Sequence, residues 1–98
     1  MDQAFIAAAA AIAPTLPEGS SVSMNIQHNG KWSVLLHFAG KWMRDRGAEV
    51  GDWYGFDEET GRCQRNLWLK VRGTTVQGVE SNADVGLSME ECRVANAA

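Results

Sequence analysis

Apolar and polar residues alternate most clearly between Ser21 and Phe38. Val22, Met24 and Ile26 alternate with Ser23, Asn25 and Gln27. Trp32, Val34, Leu36 and Phe38 alternate with Ser33, Leu35 and His37. A period of two marks half-buried strands, and Asn29-Gly30 between them marks a hairpin. A two-residue turn would set Ile26 against Ser33 and mix the faces. A three-residue loop, His28-Asn29-Gly30, pairs Ile26 with Trp32, Met24 with Val34 and Val22 with Leu36. That keeps the apolar residues on one face, with Gly30 in the left-handed position of a bulged turn. Trp32 is then expected in the core.

Helical patterns stand at both ends. The alanine-rich run from Asp2 to Ala13 predicts a helix, with Asp2 at the positive end of its dipole and positions 5, 8, 9 and 12 on one face. Pro14 and Pro17 are expected to end it, with a loop to Ser21. Ser88-Met89-Glu90-Glu91 predicts a capping box that opens a helix to Ala97. Met89, Cys92 and Val94 or Ala95 would form its buried stripe.

The middle is less regular. Lys41 to Arg44 suits either a strand or one helical turn, and 44–47 reads as a loop tip. Asp52 to Asp57 predicts a short strand broken by Gly55. Asp57-Glu58-Glu59-Thr60-Gly61 predicts an acidic turn. Arg62 to Arg72 predicts a long strand with Leu67, Leu69 and Val71 inward and Trp68, Lys70 and Arg72 outward. Gly73 to Val79 predicts an edge strand, and Asn82 to Gly86 a loop. The whole reads as one α+β domain over residues 1–98. It is an antiparallel sheet of four to five strands, with an N-terminal and a C-terminal helix packed on one face.

Composition fits a folded domain: 98 residues, 45% hydrophobic and 21% charged. Net charge is −3, which argues against a general nucleic-acid binder. Charge is uneven, however. Lys31 to Arg72 holds eight basic and six acidic residues, and the two ends together hold one and six. The N-terminal run lacks the basic start and leucine-rich core of a signal peptide, and it is too short to span a bilayer. Cys63 and Cys92 read as two separate free thiols in a reducing, cytoplasmic setting.

No catalytic or metal-binding motif emerges. His28, His37, Cys63 and Cys92 lack short ligand spacing, and no phosphate loop is present. The expectation is therefore a non-enzyme without cofactor or metal. Aromatic and basic residues gather instead. Trp42, Met43, Arg44, Arg46, Trp53 and Tyr54 fall in one irregular stretch, read as exposed, and these residue types are enriched at protein interfaces. Trp68, Lys70 and Arg72 alternate on one strand, which suits a single-stranded nucleic acid as an alternative partner. Candidate contacts are Trp42, Arg44, Arg46, Tyr54 and Trp68. Asp57, Glu58 and Glu59 form a second, acidic set that would suit a basic channel.

In size and freedom from catalytic motifs the chain resembles small phage-encoded anti-defence proteins such as anti-CRISPRs, and toxin-immunity proteins. The resemblance implies a protein-binding inhibitor that acts by steric occlusion. It rests on no motif and assigns no residue. The predicted edge strand, Gly73 to Val79, would also let a homodimer form.

Overall fold

The computed structural model describes residues 3–26 and 28–98; the calls on Asp2 and Gln27 lie outside them. Helix α1 (Gln3–Ile12) leads through a 3-10 turn (Ala13–Thr15) to strands β1 (Ser21–Ile26) and β2 (Trp32–His37). Helix α2 (Gly40–Asp45), β3 (Glu49–Val50), β4 (Tyr54–Asp57), β5 (Arg62–Val71) and β6 (Thr74–Ser81) follow. A second 3-10 turn (Asn82–Val85) and α3 (Met89–Ala97) close the chain. The fold is α+β, with a six-stranded, mostly antiparallel sheet.

The hairpin register is the one that the alternation demands. Ile26 pairs with Trp32, Met24 with Val34 and Val22 with Leu36, and Gly30 has φ of 80°. Val34 and Leu36 are buried, but Trp32 beside the turn is only half-buried, so it is not a core residue. Phe38 leaves the pattern altogether. Its φ is +57°, and its side chain is 86% exposed.

Strand β6 occupies the centre of the sheet, not its edge as expected. The order is β1-β2-β6-β5-β3, with β4 also on β5. Strand β6 runs parallel to β2 through Val34–Val76, Leu35–Gln77 and Leu36–Gly78, and antiparallel to β5 along its whole length. Its burial explains its place: Thr74, Val76, Gly78 and Glu80 all point inward and are buried. The true edges are β1 on one side and the β3/β4 pair on the other. Arg72 and Gly73 form the two-residue link between β5 and β6, both with positive φ, as a tight hairpin turn requires.

All three helices cover one face of the sheet. Ala8 and Ile12 of α1 are buried, with Phe5 and Ala9 beside them, as the spacing predicts. They pack with Val34, Leu36, Met43, Leu67 and Val76 into the main core. Lys41 to Arg44 are helical, and Met43 is fully buried instead of lying on an exposed stretch. Gly78 leaves room for it: a Cβ there would stand 2.5 Å from the Met43 sulfur.

A second cluster gathers Trp53, Cys63 and Cys92, flanked by Phe56, Val85, Leu87 and Met89. Trp53 is therefore core, and the two thiols are neighbours, not separate. The Ser88 capping box forms as predicted, and its backbone bond to Glu91 holds that carboxyl below its ordinary range. Val94 and Ala95 are exposed, correcting the expected stripe. Asn96 takes that role differently: its side chain accepts from Trp53 N and donates to Trp53 O, both at 2.8 Å. The expected loop after Ser81 is the 3-10 turn, closed by its own Ser81/Asp84 capping box. Buried Asn82 there accepts from Cys63 N and donates to the carbonyls of Gly61 and Leu87. Pro14 lies within the first 3-10 turn, so the helix tightens there before it stops.

Two substitutions test this packing. Gly78→Ala should overpack Met43 and cost about 1–3 kcal/mol, read as a lower urea midpoint. Burial, and then its contact with Cys63, raise the Cys92 thiol to about 11. The raised value contributes stability that is complete below about pH 9 and lost as pH rises through 11. Stability should fall across that window less steeply in Cys92→Ala than in the natural sequence, measured by unfolding at stepped pH.

Candidate functional site

With the helices on one side, the other side of the sheet is bare. Its residues follow from parity and register. Ser21, Ser23 and Asn25 come from β1, and Ser33, Leu35 and His37 from β2. Thr75, Gln77, Val79 and Ser81 come from β6, and Arg62, Gln64, Asn66, Trp68 and Lys70 from β5. Tyr54 joins them opposite Gln64, and Glu49 opposite Trp68. Small hydroxyls and amides dominate, with apolar groups at Leu35, Val79, Trp68 and Tyr54. Two internal bonds fix side chains on it. Ser23 Oγ lies 2.8 Å from His37 Nε2, and Tyr54 Oη donates to Asn66 Oδ1 at 2.8 Å.

A crevice of about 590 Å³ opens at one end of this face. It forms because β2 and β6 pair over three residues and then diverge. Leu35, His37, Phe38, Gln64, Asn66, Val79 and Ser81 line it from the sheet, and Lys41, Arg44 and Glu80 from the α2 side. The Phe38 ring stands at its mouth. Its backbone turns the chain from β2 into α2, Ser20 Oγ donates to its carbonyl, and Ala39 behind it is buried. Left-handed backbone costs a residue with a Cβ about 1–2 kcal/mol. Glycine or asparagine would do the turning more easily, so an exposed phenylalanine here is an outlier.

Beneath the crevice lies Glu80, whose side chain is 1% exposed. Arg44 Nε donates to its Oε1 at 3.0 Å, and Arg65 donates to its Oε2 from Nε at 2.8 Å and Nη2 at 2.7 Å. Gly40 has no side chain because a Cβ there would collide with Glu80 Oε1. Arg65 also lies over the Trp53 ring, 4.4 Å from its centroid.

The predicted contacts do not form one surface. Arg44 is committed to Glu80. Trp42 packs on the main core, donates its indole N–H to Thr15 O at 3.1 Å, and is covered by the Arg46 guanidinium at 3.9 Å. Both lie on the helical side. Tyr54 and Trp68 do share the bare face. Trp68 rests half-buried against Gly51 beside a depression of about 440 Å³ with Lys70, Glu49 and Thr75. Asp57, Glu58 and Glu59 form an exposed turn at the end of β4, where Asp57 Oδ1 accepts from Glu59 N. Glu58 is already paired with Arg93, which also bonds Glu90. Phe38 and Val79 escaped the sequence reading. Phe38 continued an apolar alternation, and only its backbone conformation removes it.

Among the described residues no group of three His, Cys, Asp or Glu side chains could hold a metal ion, and no helix is long and apolar enough to cross a membrane. No protein-family model, curated protein or solved structure matches the chain.

Glu80→Ala would leave two arginines facing each other without their carboxylate. A loss of about 3–5 kcal/mol is expected, measured by chemical denaturation, with Arg44→Met costing less because Arg44 is partly in solvent.

Proposed function

We propose that this chain is a non-catalytic protein-binding module that covers a partner's surface with its bare sheet face. One observation carries the reading: Phe38 is held outward at 86% exposure, in a backbone conformation that disfavours it, beside Val79 and the crevice. Interfaces concentrate energy in a few aromatic anchors ringed by polar groups, and this face has that make-up. Leu35, Val79, Tyr54 and Trp68 extend the apolar contact; Gln64, Asn66, Gln77 and His37 supply hydrogen bonds. In its specific form the module is an inhibitor acting by steric occlusion, in the manner of phage-encoded anti-defence proteins. A reducing, cytoplasmic setting is part of the reading and is supported by adjacent, unbonded Cys63 and Cys92. The exposed Asp57 and Glu59 offer a second contact to a basic partner.

A single-stranded nucleic acid is the second reading. It is favoured by Trp68, Tyr54, Lys70 and Arg62 sharing this face, which suits stacking and phosphate contact.

Phe38→Gly separates binding from folding. Relief of about 1 kcal/mol of left-handed strain offsets the similar entropic cost of glycine in the unfolded chain, so the urea midpoint should stay put. A partner recovered by the tagged natural protein should bind the variant about tenfold or more weakly, measured by calorimetry. Unchanged affinity would overturn the proposal. Salt-sensitive oligonucleotide binding lost in Lys70→Glu would instead establish the second reading.

A further inference from the structure

The two edges of the sheet differ in kind. The β3/β4 edge is split in two, shifts register between Tyr54 and Asp57, and carries Glu49 and Asp57 with Asp52 in the link. Such interruptions and charges are how sheets resist pairing with other chains. Strand β1 has none of them. Ser21–Ile26 is an unbroken run of six residues without a charge or a proline. Among the described residues, no backbone hydrogen bond reaches its outer side. Its apolar row, Val22, Met24 and Ile26, is incompletely covered, and Ile26 is 61% exposed.

We propose that β1 pairs antiparallel with β1 of a second copy of this chain. A two-fold axis sets a strand against its own copy, so an edge whose charges are all of one sign can meet only neutral residues or that same sign. A strand with no charge suits that partner, whereas the opposite edge, residues 49–57, carries three carboxylates and no basic residue to pair with them. The register centred on Met24 places Ile26 of each copy against Val22 of the other, and Ser23 against Asn25. All apolar side chains then stay on the helical side. The axis runs perpendicular to the sheet, so the two bare faces lie side by side as one surface of twelve strands. The inference rests on the edge alone and stands or falls separately from the function proposed for the face.

Sedimentation equilibrium of the natural chain, at high micromolar concentration, should give twice the 10.7 kDa monomer mass. Ile26→Lys puts a charge into the seam and should return the monomer mass, with an unchanged circular dichroism spectrum because that side chain is mostly in solvent. Val50→Lys, on the opposite edge, should leave the dimer intact. A natural chain that stays monomeric overturns the proposal. So does a dimer that survives Ile26→Lys, or one that Val50→Lys dissolves.

Discussion

The buried Glu80 carboxylate constrains more of this molecule than any other group. Removing a charge from water costs several kcal/mol, and only close, well-aligned opposite charges repay it. Arg65 on the neighbouring strand and Arg44 on α2 do so from opposite oxygens. Each bond fixes something else. The Arg44 bond docks a six-residue helix too short to be stable alone. The carboxylate's position forbids a side chain at Gly40. The Arg65 guanidinium lies over Trp53, whose backbone Asn96 clamps from α3. One carboxylate thus ties the middle of the sheet to the short helix and, through two further contacts, to the C-terminal helix.

That arrangement explains how a small chain supports two apolar clusters. Along β5 and β6, Leu67 and Val76 belong to the main core, while Cys63 belongs to the second cluster and is held by Asn82 just past β6. Arg65 and Glu80 lie between them in the same register. A slip of β6 by two residues would keep every side chain on its face but part buried Glu80 from the half-buried Arg65. Alternation alone permits that slip; the ion pair excludes it.

What could be read from the sequence follows the range of the interactions. The first hairpin was legible to the residue, because faces and turn together admit one register. The Ser88 capping box was legible because its bonds span three residues. The sheet order was not. Strand β6 finds β2 across more than thirty residues of intervening chain, and Gly73 to Val79 looks like an edge because its glycines and threonines hide how tightly it is packed. Met43 looked like an interface residue because the small partner that buries it, Gly78, lies far along the chain. The same holds for Arg44: its role is set by Glu80, 36 residues away. Of the candidate contacts, Tyr54 and Trp68 reach the bare face because strand parity put them there. Trp42 and Arg46 do not, because a helical turn has a different period.

Placing every helix on one side has a cost that the bare face makes visible. A sheet with one open face exposes whatever apolar groups its strands carry, and soluble proteins usually dilute them with small polar residues. This face does so across β1, the start of β2 and the first half of β6, where Ser21, Ser23, Asn25, Ser33, Thr75 and Gln77 lie. It does not do so at its crevice end, where Phe38, Val79 and Leu35 converge. Phe38 is also, with Arg72, one of two non-glycine residues that the described backbone holds at positive φ. Packing cannot explain a ring that is almost wholly in solvent, and the turn it occupies would be easier for glycine. Arg72 sits in an ordinary hairpin turn, but Phe38 stands where two parallel strands part and a concavity opens. A contact with a partner, as proposed above, would account for the strain, the exposure and the position together.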